Sequence, residues 1–162
     1  KTTTNNKDVS ISNGNGVVTI RLPAVSIGQG DAYMRNYLTT ELNELFGVTA
    51  PSEIANYVIY CFPPGTYTGA RPGEGIAYAY INSWLSVFND DWCLSSSLLM
   101  HEIGHSMNLG HSNEDGPYED ETGTMGYSYP NRNGPRSCFN AAKSWQTGWS
   151  KTRVLRSVKV VE

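Results

Sequence analysis

A chain of 162 residues is long enough to bury a core of its own and is the length of one ordinary domain. Hydrophobic residues make up 39% and charged ones only 17%, which excludes a disordered chain. The net charge of −3, with no long Lys/Arg run, leaves no basic footprint for nucleic acid or an anionic membrane, and no apolar run reaches the roughly 18 residues of a membrane span.

Val9 to Leu22 places β-branched apolar residues on both sides of Asn13-Gly14-Asn15-Gly16, the pattern of a hairpin with an Asn-Gly turn; Val17-Val18-Thr19-Ile20 reads as its second strand. A helix is predicted from Ala32 to Phe46, where Tyr33, Tyr37, Leu38, Leu42 and Leu45 recur at helical spacing, with Asp31 as candidate cap and Gly47 as stop. Tyr57 to Phe62 reads as a buried central strand ended by Pro63-Pro64-Gly65, and Thr66 to Gly75 as a loop. Ile76 to Ile81 alternates Ala and Tyr as a further strand, and pattern alone does not separate an edge strand from an interior one. Trp84, Phe88 and Trp92 read as core residues on the way to a helix from Ser95 to Met107.

That helix carries the chemistry. If Ser95 to Met107 is helical, His101 and His105 lie four residues apart, about 6 Å along the axis, and project from one face as two ligands of one metal must. Glu102, beside the first ligand, is a poor third ligand but is well placed to take a proton from an activated water. His111 lies beyond the helix, so the chain must turn back, and Asn108 and Gly110 are residue types that tolerate the left-handed backbone of such a turn. A bare H-E-x-x-H arises by chance often enough to be only suggestive. Here the only three histidines of the chain occupy the three ligand positions of H-E-x-x-H-x-x-x-x-x-H. A closed structural zinc site has four protein ligands, usually with cysteines among them, whereas three histidines leave a position for water.

H-E-x-x-H-x-x-N-x-x-H followed by Thr124-Met125-Gly126-Tyr127 resembles a metzincin zinc metalloprotease with its Met-turn. Met125-Gly126-Tyr127-Ser128-Tyr129 and the run from Cys138 to Trp149 resemble the gametolysin (autolysin) family of zinc endopeptidases, as do Pro63-Pro64-Gly65 and Ala77-Tyr78-Ala79-Tyr80. The likeness is dense from about residue 57 to 149 and departs from the usual metzincin pattern at Asn108, where Gly is customary. It implies an α+β metzincin-like catalytic domain spanning residues 1–162. Its parts would be a twisted mixed β-sheet with a backing helix, the active-site helix, a Met-turn with Met125 beneath the metal, and a C-terminal helix at Phe139 to Trp149. Val154 to Val161 alternates as a short closing strand.

The resemblance implies Zn2+ on His101, His105 and His111, Glu102 as general base and then acid, and Tyr127 as a phenol that reaches the metal or the reaction intermediate. It implies that the strand at Ile76 to Ile81 edges the cleft and pairs with an extended substrate. It also implies a secreted, monomeric endopeptidase acting on extracellular or cell-wall polypeptides, Pro-rich glycoproteins among them, and made as a longer precursor. The alternatives are a catalytically silent zinc-containing module that binds surface or matrix protein, and a metal hydrolase for small esters or amides. Asn113 to Glu121 is the most acidic run and reads as a solvated loop, a Ca2+ site being the alternative. Cys61, Cys93 and Cys138 are odd in number, so connectivity stays open. Cys93–Cys138, which flank the metal region, are the expected pair, and three reduced thiols the alternative.

Overall fold

The computed structural model describes residues 9–12, 16–21, 28–66, 75–113, 116, 118–120, 122–126 and 137–149. The expected hairpin is present: β1 (Val9–Ser12) pairs antiparallel with β2 (Val17–Ile20), Val9 opposite Ile20 and Ser12 opposite Val17. Residues 13–15 of its turn lie outside the described residues.

The first helix, α1 (Asp31–Phe46), ends where Gly47 adopts φ 66°, a left-handed cap that glycine takes without a Cβ clash. Its cap is Gly30 and not Asp31, which is the first helical residue. The Asp31 carboxylate is used sideways: Arg35 Nε donates to it at 3.2 Å and the Tyr78 hydroxyl donates to it from the sheet. A negative charge in the first turn still complements the helix dipole.

Three strands form the main sheet: β3 (Val58–Phe62), β4 (Ala77–Ala79) and β5 (Leu85–Asn89), in the order β3-β5-β4. β5 runs parallel to β3 and antiparallel to β4, so the sheet is mixed as expected. The centre of the sheet is not the strand that the sequence pattern predicts. Among the described residues Val58–Phe62 is a flank, and β5 holds the middle with all five residues buried. A strand covered on both faces has no polar alternation to betray it.

Successive side chains of β5 point to opposite faces, and this places the helices. Leu85 and Val87 join Met34 and Leu42 of α1 and Tyr60 and Phe62 of β3 in one core, with Trp84 packed at its edge. Thr39 Oγ1 and the Tyr60 hydroxyl, 2.8 Å apart, add a polar tie between α1 and β3. Ser86 faces the other way, and its Oγ lies 3.2 Å from Ser106 Oγ on α2 (Ser96–Ser106). One helix backs each face of a mixed sheet, an α+β arrangement. Phe88 is fully buried, as expected of a core residue, while Trp92 is half-buried in a 3-10 turn over Asp90–Leu94.

That turn corrects the disulfide. Cys61 on β3 stands opposite Phe88 on β5, and the turn that follows β5 carries Cys93 back to it, with a Cα–Cα distance of 5.9 Å. The pair is Cys61–Cys93, and Cys138 is free and exposed. Parallel pairing of β3 with β5 is a tertiary fact that spacing cannot reveal. The last described helix, α3 (Ala141–Gln146), is shorter than the run from Phe139 to Trp149, and the Asn140 side chain caps it by accepting from Lys143 N–H. Val154 to Val161 lies outside the described residues, and among those described no helix is long and apolar enough to cross a membrane.

Candidate active site

Ser95 starts α2 by accepting the Leu98 N–H on its hydroxyl at 3.4 Å, and the helix carries His101, Glu102 and His105 at the expected spacing. All three are buried. The exit turn forms as expected: Asn108 takes φ 68°, and Asn108 and Leu109 N–H donate to the carbonyls of His105 and Gly104 at 2.9 Å each. Leu109 is then fully buried and His111 emerges facing back toward the helix. The imidazole centroids of His101, His105 and His111 lie 4.7 to 5.2 Å apart, and one nitrogen from each falls within 4.8 Å of the others.

Two of the rings are oriented by backbone. His101 Nδ1 lies 2.6 Å from the Thr124 carbonyl oxygen and His105 Nδ1 lies 2.8 Å from that of Leu109. A carbonyl only accepts, so each Nδ1 carries the proton and each Nε2 keeps its lone pair for a metal. Burial holds all three imidazoles below their usual pKa, His101 at about 4; repulsion from the neighbouring histidines adds to it at His101 and His111, and the Lys143 charge adds to it at His105 and His111. The rings are therefore neutral at pH 7, the form that binds a cation.

Glu102 has the opposite perturbation. Burial pushes its carboxyl up to about 8, against the opposing effect of a hydrogen bond donated by Ala79 N–H on β4. Its Oε2 is buried with no partner in the protein. An orphaned carboxylate oxygen costs stability unless something that the protein itself lacks is bound beside it. Three ring nitrogens within 4.8 Å of one another could hold a divalent metal and leave a position for water, and neutral imidazole suits zinc.

Met125 is fully buried and packs against α2 at Gly104, next to His105 in the chain. Gly104 of α2 makes this possible, because a Cβ there would overlap Met125 Sδ and touch Phe139. The segment is knitted to the chain around His111: Ser112 N–H donates to the Met125 carbonyl at 2.8 Å, and Thr124 N–H to the Cys138 carbonyl at 3.0 Å.

Residues 4–157 match the family model described as gametolysin peptidase M11. The chain belongs to that family. Searches of curated proteins and of solved structures returned no match. Membership makes this chain a gametolysin-like metallopeptidase of the broader metzincin clan, with a three-histidine group able to hold its metal.

For this gametolysin-family chain, the structure brings together three of the sequence-selected residues, His101, His105 and His111, with Glu102 beside His101 on α2 and Met125 packed against the same helix at Gly104. Tyr127 lies outside the described residues. The strand at Ile76 to Ile81 is confined to Ala77–Ala79 and has no partner on its outer side among the described residues. Asn89 N–H donates to the Ile76 carbonyl at 2.9 Å, which makes Tyr78–Val87 the hydrogen-bonded pair and turns the backbone groups of Ala77 and Ala79 outward. Ala79 N–H meets Glu102 there.

Two features of the acidic loop escaped sequence reasoning. Asp120, read there as a solvated acid, is buried; its carboxylate accepts from Thr122 N–H at 2.8 Å, from the Thr122 hydroxyl, and from Asn140 Nδ2 at 2.7 Å. Those bonds hold its pKa below the usual carboxylate value and tie the loop to the start of α3. Among the described residues the histidine trio is the only grouping of three or more potential metal ligands, and the loop contributes none to it. Tyr118 lies against the histidines, its ring centroid 4.0 Å from that of His111. No sequence signal marks it, because the contact depends on how the loop closes.

Proposed function

We propose that this chain is a zinc endopeptidase in which His101, His105 and His111 hold the metal through Nε2 or its equivalent and Glu102 moves the proton. The observation that carries the reading is the convergence of three ring nitrogens from a chain segment that also carries a buried carboxylate, whose Oε2 has no hydrogen-bond partner among the described residues. Zinc, when bound, lowers the pKa of a water and polarises the scissile carbonyl. Glu102 Oε2 receives the proton of the attacking water and delivers it to the departing amine, base and acid in turn. Ala79 N–H holds the other carboxylate oxygen and leaves Oε2 without a hydrogen bond.

The outward backbone groups of Ala77 and the carbonyl of Ala79, whose N–H is taken by Glu102, are the edge on which an extended polypeptide main chain pairs. Tyr127, two residues beyond Met125, is assigned to the developing oxyanion. Residues 1–162 are read as a metzincin-type catalytic domain acting as a monomer on extracellular or cell-wall protein. The Cys61–Cys93 disulfide supports a secreted location, since such bonds persist in oxidising compartments.

The test is zinc content by elemental analysis together with casein cleavage, for the wild type and Glu102→Ala. One zinc per chain in both, with cleavage in the wild type alone, is the expected result. Zinc in both with cleavage in neither would replace the enzyme by a metal-containing binding module.

A further inference from the structure

The three histidines are not held alike. His101 and His105 each have Nδ1 fixed to a backbone carbonyl, and both rings sit on one rigid helix. His111 follows a turn, is half-buried, and among the described residues no hydrogen bond holds its ring. A ligand free to rotate weakens a metal site, because its rotamer freedom is lost each time the metal binds.

What lies against His111 is Tyr118. The two ring centroids are 4.0 Å apart at an interplanar angle of 41°, and the same phenol ring lies 6.2 Å from His101, nearly parallel to it at 25°. Tyr118 adopts φ 71°, a left-handed conformation that an aromatic residue rarely takes. Such an outlier persists only where its surroundings enforce it. Here they do: Asp120 N–H donates to the Ser112 carbonyl at 3.4 Å, closing the loop directly after His111, and Asn140 Nδ2 donates to both Ser112 Oγ and the Asp120 carboxylate. The Asp120 carbonyl also packs where a Cβ on residue 126 would stand, so Gly126 is required for the closure. The loop returns to its own start and lays the Tyr118 ring on the third histidine.

We infer that Tyr118 is a positioning residue for the metal: its ring fixes the orientation of His111 by packing, as the Thr124 and Leu109 carbonyls fix the other two by hydrogen bonding. The role belongs to the ring and not to the hydroxyl, since it is the tilted ring, 4.0 Å from centroid to centroid, that lies against His111. This inference rests on the zinc-ligand reading above and deepens it.

The experiment measures zinc affinity by competition with a chelator of known affinity, and the visible spectrum of the cobalt-substituted protein, for the wild type, Tyr118→Phe and Tyr118→Gly. Glycine is chosen because it accepts φ 71° without strain, so the ring is removed while the loop backbone keeps its conformation. Tyr118→Phe is expected to match the wild type in both readouts. Tyr118→Gly is expected to bind zinc about 10- to 100-fold more weakly, with an altered cobalt spectrum and an unchanged thermal midpoint in the metal-free state. Wild-type affinity in Tyr118→Gly overturns the inference, as does an equal loss in Tyr118→Phe, which would transfer the role to the hydroxyl. A wild type that binds no zinc overturns the ligand assignment itself, a distinguishable failure.

Discussion

Replacing Glu102 by Gln is expected to stabilise the metal-free protein while removing its activity. The carboxyl is 5% exposed, its folded pKa is raised to about 8 from a reference of 4.5, and its Oε2 has no partner. An acid whose folded pKa lies above its unfolded value binds more protons in the native state between those two values, so native stability falls as pH rises through that window. At pH 5 the penalty is under about 1 kcal/mol; at pH 7 it reaches about 3 kcal/mol, and above pH 8 it levels off. Glutamine keeps the shape and an oxygen for Ala79 N–H but has no charge to desolvate. The assay is thermal unfolding of chelated wild type and Glu102→Gln at pH 5 and pH 7. The variant should melt about 6–12 °C higher at pH 7 and nearly together with the wild type at pH 5. Its cleavage rate with zinc restored should fall by about 10²–10⁴, the usual worth of a general base. Coincident melting at both pH values would refute the claim that this carboxyl is buried at a cost for the sake of function.

Three further outcomes are expected. In the Glu102→Gln background the histidines dominate: His101, with a folded pKa of about 4 against 6.5 unfolded, should cost the metal-free protein about 3 kcal/mol as pH falls from 6.5 to 4, and a flat stability profile across that range would contradict it. Cys61→Ser or Cys93→Ser should lower stability by about 3–4 kcal/mol in urea unfolding, from the 32-residue separation that the bond closes, whereas Cys138→Ser should leave it unchanged; a loss in Cys93→Ser and Cys138→Ser with none in Cys61→Ser would restore the Cys93–Cys138 pairing. Gly104→Ala should destabilise by about 1–3 kcal/mol and lower zinc affinity, because the added methyl displaces Met125 where it packs against α2; a variant of undiminished stability would show that the space is not tight.

The residues of the histidine cluster were legible because they obey local rules. The spacing of His101 and His105 follows from helix geometry alone, and Asn108 is one of the few residue types at ease at the φ of 68° that redirects the chain to His111. α1 and the β1–β2 hairpin were legible for the same reason, periodicity ending in a glycine stop or straddling an Asn-Gly turn. β5 was not, because a strand buried on both faces shows no alternation, and with β5 unseen the centre of the sheet went to β3.

Composition and spacing by themselves determined which side chains could hold a metal, what metal class would suit them and which carboxylate accompanies them, since these depend on residue type and on helix pitch. Tertiary structure alone decided the rest. Parallel pairing of β3 with β5 chose Cys61–Cys93 over the other pairings, the outward turn of Ala79 gave Glu102 its one hydrogen bond and left Oε2 open, and loop closure at Asp120 laid Tyr118 on His111. Each of these joins segments whose separation in sequence carries no periodic signal, so their meeting is set by packing and hydrogen-bond satisfaction over the whole fold.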